Sequence, residues 1–491
     1  MVITSMNTRD NKKKSLYGAY FFEKFFSKWV TACAGITALF LFFFTTPSMA
    51  ASSQKFIIIS DIHFDPFIGC ETQLAPCPLI QALQKAPVND WEAIFKQYHV
   101  VDTITYKQDS SNLLLDSTVE ELQKHASDHP TFAILLGDTL AHRFDDKYKT
   151  YAENSSMSFD DFTNKTIDFV AQKLEAALPD IPIYPVIGNN DGDTGHYDVT
   201  PHGDFLSHMA DSFSSHISDA TFHDAFSNAG FYAISLSPHQ RLIVLNSVLF
   251  STLQPNSPAM DIAANEEITW LKDQLILAHQ QNQFVLIAMH IPIGIDVFKT
   301  FGPLYSLQDP NFWKTTYTQS FLDILQKSPA HIIAILTAHL HTDTFQIIQD
   351  ANNPPIPVIF TPAISPVYGN NPSFKSMTLS DTNGLTDFDT YFYPLNQSKP
   401  RWEKEYNFNN TYQPDCQSCQ IIDGLQKITP DQTIYYDAYK KYLFASSPGD
   451  KFSVDQWQAN QCSITQFDTA SYHCCFAGSH HSLLGLLKQL F

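Results

Sequence analysis

An α/β fold is what this sequence predicts, on three observations. Strand-length apolar runs recur along the chain, each followed by turn residues. Helix-period stretches lie between several of them, the alternation expected of α/β proteins. Residues with metal-binding chemistry follow the runs directly, where sheets of buried strands place their ligand-binding loops.

The elements follow in order. Phe56–Ile59 leads into Asp61 and His63, and Phe132–Leu136 into Gly137-Asp138. Ile183–Ile187 leads into Gly188-Asn189, Phe284–Met289 into His290, and Ile332–Leu336 into His339-Leu-His341. Leu242–Leu245 and Val358–Phe360 are two further strands. The runs are continuous, so strands buried on both faces are expected. Helices are predicted over Phe162–Leu178 and Ile262–His279. In the second, Asn265 followed by Glu266, Glu267 and Trp270 reads as a capped start with acidic first-turn residues.

At 491 residues, 44% hydrophobic and 16% charged, the chain can bury one large core plus an accessory region. The N-terminus reads as an export signal: Lys12-Lys13-Lys14 with Lys24 and Lys28, an apolar run from Trp29 to Phe44, then small residues in Ser48-Met-Ala50. Cleavage is expected after Ala50, an uncleaved anchor being the alternative, and a secreted or periplasmic location follows. Three regions result: the signal 1–50, a catalytic domain 51–400, and a small helical, disulfide-containing subdomain 401–491. No second spanning segment is read, so no stable membrane insertion is expected after cleavage. The terminal segment Ser482–Phe491 is amphipathic, but its single basic residue, Lys488, fits a packed helix better than a membrane binder. The net charge is −20, and six basic against two acidic residues in the first fifty leave −24 for the remainder. Such a body should repel duplex nucleic acid and anionic membrane surfaces.

Seven cysteines follow the predicted cleavage point, as expected for disulfides in an oxidising compartment. Spacing suggests Cys70 with Cys77, and Cys462 with Cys474 or Cys475. Cys416-Gln-Ser-Cys419 fits a tight disulfide, a redox pair or half a zinc site, although no second CxxC lies at zinc-ribbon spacing. The odd count leaves one thiol free or paired with another chain.

The residues at the strand ends form two sets of oxygen and nitrogen donors. Asp138 is the natural bridge, since one carboxylate can give an oxygen to each of two cations. Asn189 supplies a neutral amide oxygen, and His290, His339 and His341 supply nitrogens suited to Zn, Fe or Mn. Period-two alternation would point His339 and His341 the same way. Two divalent cations about 3.5–4 Å apart can clamp a phosphoryl group and activate the attacking water.

These motifs resemble the calcineurin-like metallophosphoesterases and, within them, the acid sphingomyelinase-like phosphodiesterases. The resemblance rests on Ser60-Asp-Ile-His-Phe-Asp-Pro66, Gly137-Asp-Thr-Leu-Ala-His142, Gly188-Asn-Asn-Asp191, His290-Ile-Pro-Ile-Gly294 and His339-Leu-His-Thr-Asp-Thr-Phe345. It continues through Asn371-Pro-Ser-Phe, Asp387-Phe-Asp-Thr-Tyr391 and Trp402-Glu-Lys-Glu-Tyr406, covering residues 55 to 475. It implies a four-layer α-β-β-α sandwich. It also implies that one metal takes Asp61, His63, Asp138 and His341 and the other Asp138, Asn189, His290 and His339, zinc being the family's usual metal. His142 becomes the candidate proton donor to the leaving group, and Asn190 and Asp191 are candidate catalytic residues beside it.

Two departures stand out. Asn190 occupies the position where most relatives have His, a form that looks like vacuolar endopolyphosphatases, and Pro201-His202 offers a substitute donor. Ala338 stands where Gly is typical, which restricts the backbone. The related sphingomyelinases carry a helical lipid-extracting module ahead of the catalytic domain, whereas here the first core strand begins within about six residues of the predicted cleavage point. The expectation is therefore an exported dinuclear phosphodiesterase acting on soluble small-molecule phosphodiesters or phosphoanhydrides, such as nucleotides or nucleotide-choline conjugates. The alternatives are an endopolyphosphatase or phosphomonoesterase, a sphingomyelin phosphodiesterase, and a secreted metal-binding protein without catalysis. Against the last stands the complete ligand set.

Overall fold

The computed structural model describes residues 53–477 except 72–74, 99–102, 153–156, 193, 301–308, 350–352, 381–383, 417–418 and 450–451. The predicted export signal and the segment Ser482–Phe491 lie outside the described residues. Among those described, no helix is long and apolar enough to cross a membrane.

Two six-stranded sheets form the centre. The first runs β12-β11-β10-β1-β2-β3, with β1 (Ser53–Ile59), β2 (Ala133–Leu135), β3 (Ile183–Pro185), β10 (Ser373–Ser380), β11 (Gly384–Phe392) and β12 (Glu403–Asn407). The second runs β4-β5-β6-β7-β9-β8, with β4 (Tyr232–Ser237), β5 (Gln240–Val244), β6 (Phe284–Ala288), β7 (His331–Thr337), β8 (Phe345–Ile348) and β9 (Ile356–Phe360). The sheets face each other: β11 contacts β7, and the side chain of Gln54 on β1 hydrogen-bonds that of Gln240 on β5.

Helices cover the outer faces, completing the four-layer α-β-β-α arrangement. Beside the first sheet, α1 (Asn112–Ala126) packs on α3 (Phe159–Ala177) and sets His125 against Phe374 and Tyr391, with α2 (Phe144–Tyr151) between them in sequence. Against the second, α4 (Pro258–Gln280) packs on β5, β6 and α5 (Thr315–Lys327). Side-chain oxygens of Ser111 and Ser158 accept from Leu114 N and Asp161 N, satisfying otherwise orphaned amides at the starts of α1 and α3. After β12 come α6 (Thr433–Tyr442) and α7 (Val454–Ser463).

The continuous apolar runs are central strands. Phe56, Ile57, Ile58 and Ile59 are each at most 1% exposed, and truncating one to Ala should cost about 2–5 kcal/mol. Parallel pairing of β1 with β2 and β2 with β3, and of β5, β6, β7 and β9 in sequence, aligns their carboxyl ends. Those aligned ends are what bring distant motifs together.

Three expectations are corrected. Helix α4 begins at Pro258, not at Asn265; proline suits the first helical position because its missing N–H would be unpaired there. Asn265 instead bonds back to the Asp261 carbonyl, and Glu267 is fully buried. The stretch after 400 opens on a strand, since Glu403–Asn407 pairs with β11. Five strands escaped the apolar-run criterion: β4, β8, β10, β11 and β12 mix polar residues into the pattern and are settled by their sheet partners.

Disulfides join Cys70 to Cys77, Cys416 to Cys419, and Cys462 to Cys475, leaving Cys474 free and exposed. The open choice for Cys462 thus falls on Cys475, and the Cys416–Cys419 bond removes both sulfurs from any zinc site. Three disulfides fit an oxidising compartment.

Candidate metal centre

The loops that leave β1, β2, β3, β6 and β7 meet at one point. Backbone hydrogen bonds lace them: Asp61 N donates to Gly137 O (3.0 Å), His63 N to Asp138 O (2.9 Å), and Ala338 N to His290 O (3.0 Å). Asp61, His63, Asp138, His339 and His341 all have φ between 46° and 73°. Left-handed backbone at non-glycine residues costs about 1–3 kcal/mol each and persists only where the surroundings over-determine it. Five of the seven predicted donors share it, which marks the cluster as a place where geometry outranks local stability. Gly188 is required by close approach, since a Cβ there would lie 2.0 Å from Asp138 N. Ala338 lies outside the positive-φ set; the left-handed turns fall on His339 and His341, which follow it.

Two donor groups share Asp138. In one, Asp61, His63 and Asp138 converge, with His341 Nε2 3.1 Å from His63 Nε2 and 3.3 Å from Asp61 Oδ1. In the other, Asp138, His290 and His339 converge, with Asn189 Oδ1 3.2 Å from His290 Nε2. Asp138 Oδ2 lies 3.5 Å from His63 Nε2 and 3.3 Å from His290 Nε2. All seven predicted donors are therefore assembled. His339 and His341 serve different groups, not by strand alternation, because the chain is already out of β7 and turning left-handed there.

The donor chemistry fits cations. His63 Nδ1 and His290 Nδ1 face the carbonyls of Leu140 (2.9 Å) and Leu136 (2.7 Å), which can only accept, so each ring carries its proton there and turns Nε2 inward. Burial, then the neighbouring His142 and His290 respectively, pushes His63 and His339 down to about 3, keeping both neutral. Burial would raise Asp61, but His341 outweighs it and holds the carboxyl at about 2. Burial would lower His290, yet the Asp138 charge pushes it up to about 9. Buried negative charge here thus demands a positive partner. Asp61 Oδ1 is buried with only His341 Nε2 near it, at 3.3 Å, and accepts no well-formed hydrogen bond, which leaves that carboxylate oxygen available to a cation.

His142 sits at the edge of the cluster, its ring stacked on His63 at 3.9 Å. Asp109 Oδ1 holds its Nδ1 at 2.8 Å, Asp109 Oδ2 accepts from its backbone N, and Lys147 grips Asp109 (3.1 Å) and Asp65 (2.7 Å). Burial would lower His142, but the Asp109 hydrogen bond and charge raise it above the ordinary imidazole value. Its Nε2 faces the exposed Tyr368 hydroxyl at 3.2 Å. Sequence reasoning missed Asp109, Lys147 and Tyr368. Asp109 lies 33 residues before His142 in a loop without periodic pattern, so no local signal marks it.

Asn190 donates from its backbone N and its Nδ2 to the two Asp138 oxygens, both at 2.8 Å. Asp191 turns away from the donors and accepts from the backbone N of Gly188, Asp138, Thr139 and Leu140, tying the β2 and β3 loops together. Burial, then Asp138, pushes its carboxyl up to about 6. His202 is exposed, its backbone N bonded to Asn228 O, and no described contact joins it to the cluster.

A family model described as calcineurin-like phosphoesterase matches residues 54–343. The chain is 24% identical over 452 residues to acid sphingomyelinase-like phosphodiesterase 3b of Homo sapiens, covering 87% of this chain and 91% of the relative. It is 26% identical over 423 residues to sphingomyelinase phosphodiesterase D of Dictyostelium discoideum, covering 81% and 91%. Cyclic GMP-AMP phosphodiesterase SMPDL3A of Mus musculus is 23% identical over 332 residues, covering 63% and 71%.

Proposed function

The chain belongs to the calcineurin-like phosphoesterase family and is a metal-dependent phosphodiesterase, and from that premise we propose an exported enzyme that hydrolyses soluble phosphodiesters or phosphoanhydrides at a dinuclear site. The observation that carries this reading is the pair of donor groups sharing Asp138 with His142 at their edge. One cation would be held by Asp61, His63, Asp138 and His341, the other by Asp138, Asn189, His290 and His339, zinc being the expected metal with manganese or iron as alternatives. Bound cations supply charge neutralisation at the phosphoryl group and acidify the attacking water.

The chain's own residues do the rest. Asn190 fixes both oxygens of Asp138 and so has no free amide proton-transfer role; an amide cannot act as an acid in any case. His142, oriented by Asp109 and kept charged to higher pH than an ordinary imidazole, donates a proton from Nε2 to the leaving-group oxygen. Tyr368 holds that nitrogen when no substrate does. Nucleotides and nucleotide-choline conjugates are the substrates considered first, since one relative is named for cyclic GMP-AMP. Others are named for sphingomyelin, which makes a lipid diester the competing substrate.

The second reading, a polyphosphatase or phosphomonoesterase, is favoured by the Asn190 replacement. Purified protein should be assayed for metal content and against bis(p-nitrophenyl) phosphate, p-nitrophenyl phosphate, ATP and polyphosphate. Two metal equivalents and fastest turnover of the diester are expected. Preference for polyphosphate or the monoester transfers the assignment to the second reading, and no turnover of any ester despite two bound metals would leave a binding protein.

A further inference from the structure

We propose that the buried Lys375–Asp343 pair is a positioning device for the His339–His341 turn and sets how tightly that turn's donors hold a cation; this rests on the dinuclear reading above. Lys375 on β10 is completely buried. Its Nζ lies 2.7 Å from both oxygens of Asp343 and 3.0 Å from Thr390 Oγ1, over the Phe388 ring at 3.9 Å. Asp343 Oδ2 also accepts from Tyr406 OH and Thr390 Oγ1, both at 3.0 Å, and Asp343 N donates to Leu443 O at 2.8 Å. Side chains of β10, β11 and β12 and the backbone after α6 therefore fix one residue.

That residue stands two positions after His341. At the other end of the turn, Thr337 Oγ1 and Ala338 N both donate to the His290 carbonyl (2.8 and 3.0 Å). Between these anchors His339 and His341 hold φ of 73° and 56°, conformations that require restraint from outside. Stability alone is a weak reason for such a pair, because apolar residues of similar volume commonly replace a buried ion pair without loss. Placement of the two imidazoles is the remaining use of the charges.

Full-length Lys375→Met/Asp343→Leu protein, stripped with a chelator, separates the roles. Its melting temperature, against equally stripped wild type, should fall only by what the Tyr406 and Thr390 hydroxyls cost on losing Asp343 as acceptor, while titration with Zn2+ or Mn2+ alone should show at least one equivalent bound tenfold or more weakly. Tyr406→Phe, which removes one hydrogen bond to Asp343 without stranding a charge, should weaken binding about threefold, roughly the effect of one net hydrogen bond. Wild-type affinity for both equivalents in the double variant overturns the proposal; if that variant does not fold, wild-type affinity in Tyr406→Phe does so. Wild-type protein that takes up fewer than two equivalents defeats the dinuclear reading instead, a distinguishable result.

Discussion

His142 offers Nε2 to the cleft because Asp109 holds its other nitrogen at 2.8 Å. Removing the proton donor should therefore leave the metal donors intact. His142→Ala is expected to retain both metals and lose roughly 10²–10⁴-fold in rate, most for poor leaving groups. Asp109→Asn should shift rate in the same direction by less, while Asp138→Ala should lose metal and turnover together. Metal content and kcat on esters with good and poor leaving groups check all three; wild-type rates in His142→Ala would remove its assigned role. At this scale the sequence singled out seven side chains, each following an apolar run, that the structure brings together. It did not disclose Asp109 or Lys147, whose functional neighbour is distant in sequence.

Helix α4 carries a carboxyl where the local pattern placed a helix start. Glu267 is 0% exposed, accepts from Asn246 N at 2.7 Å and leaves Oε2 without a hydrogen bond. Burial raises its pKa well above the usual 4.5, with the Asn246 bond opposing. The folded chain then holds a proton that the unfolded chain has released, so the contribution is fully present below pH 4.5 and is lost as pH rises toward the raised value. Glu267→Gln should flatten the fall of melting temperature between pH 5 and pH 8; parallel curves for variant and wild type would contradict the buried neutral acid. The helix itself was legible from its apolar period, but its start was not. Pro258 and a fully buried Glu267 depend on what α4 packs against, namely β5, β6 and α5.

Across the whole molecule, two sheets and the loops at their carboxyl ends enclose a cluster of buried acids and imidazoles whose donor chemistry suits divalent cations. Cations that bind only the folded state stabilise it by mass action, about 2.7 kcal/mol at a free concentration one hundred times Kd. Chelation should lower the melting temperature and Zn2+ or Mn2+ should restore it; a melt indifferent to both contradicts tight binding. What the sequence by itself determined is the set of central strands and the seven polar side chains after them, because continuous apolar runs and the residues just beyond them are local patterns. Only the tertiary structure decided which loops share Asp138, that Asn190 clamps it, that Asp109 orients His142, and that mixed-pattern strands such as β10 and β11 belong to the sheet. The cluster depends on parallel strand ends that bring distant loops together, β10 joins the sheet by antiparallel pairing with β1 from far along the chain, and no periodicity within a single segment encodes such a meeting.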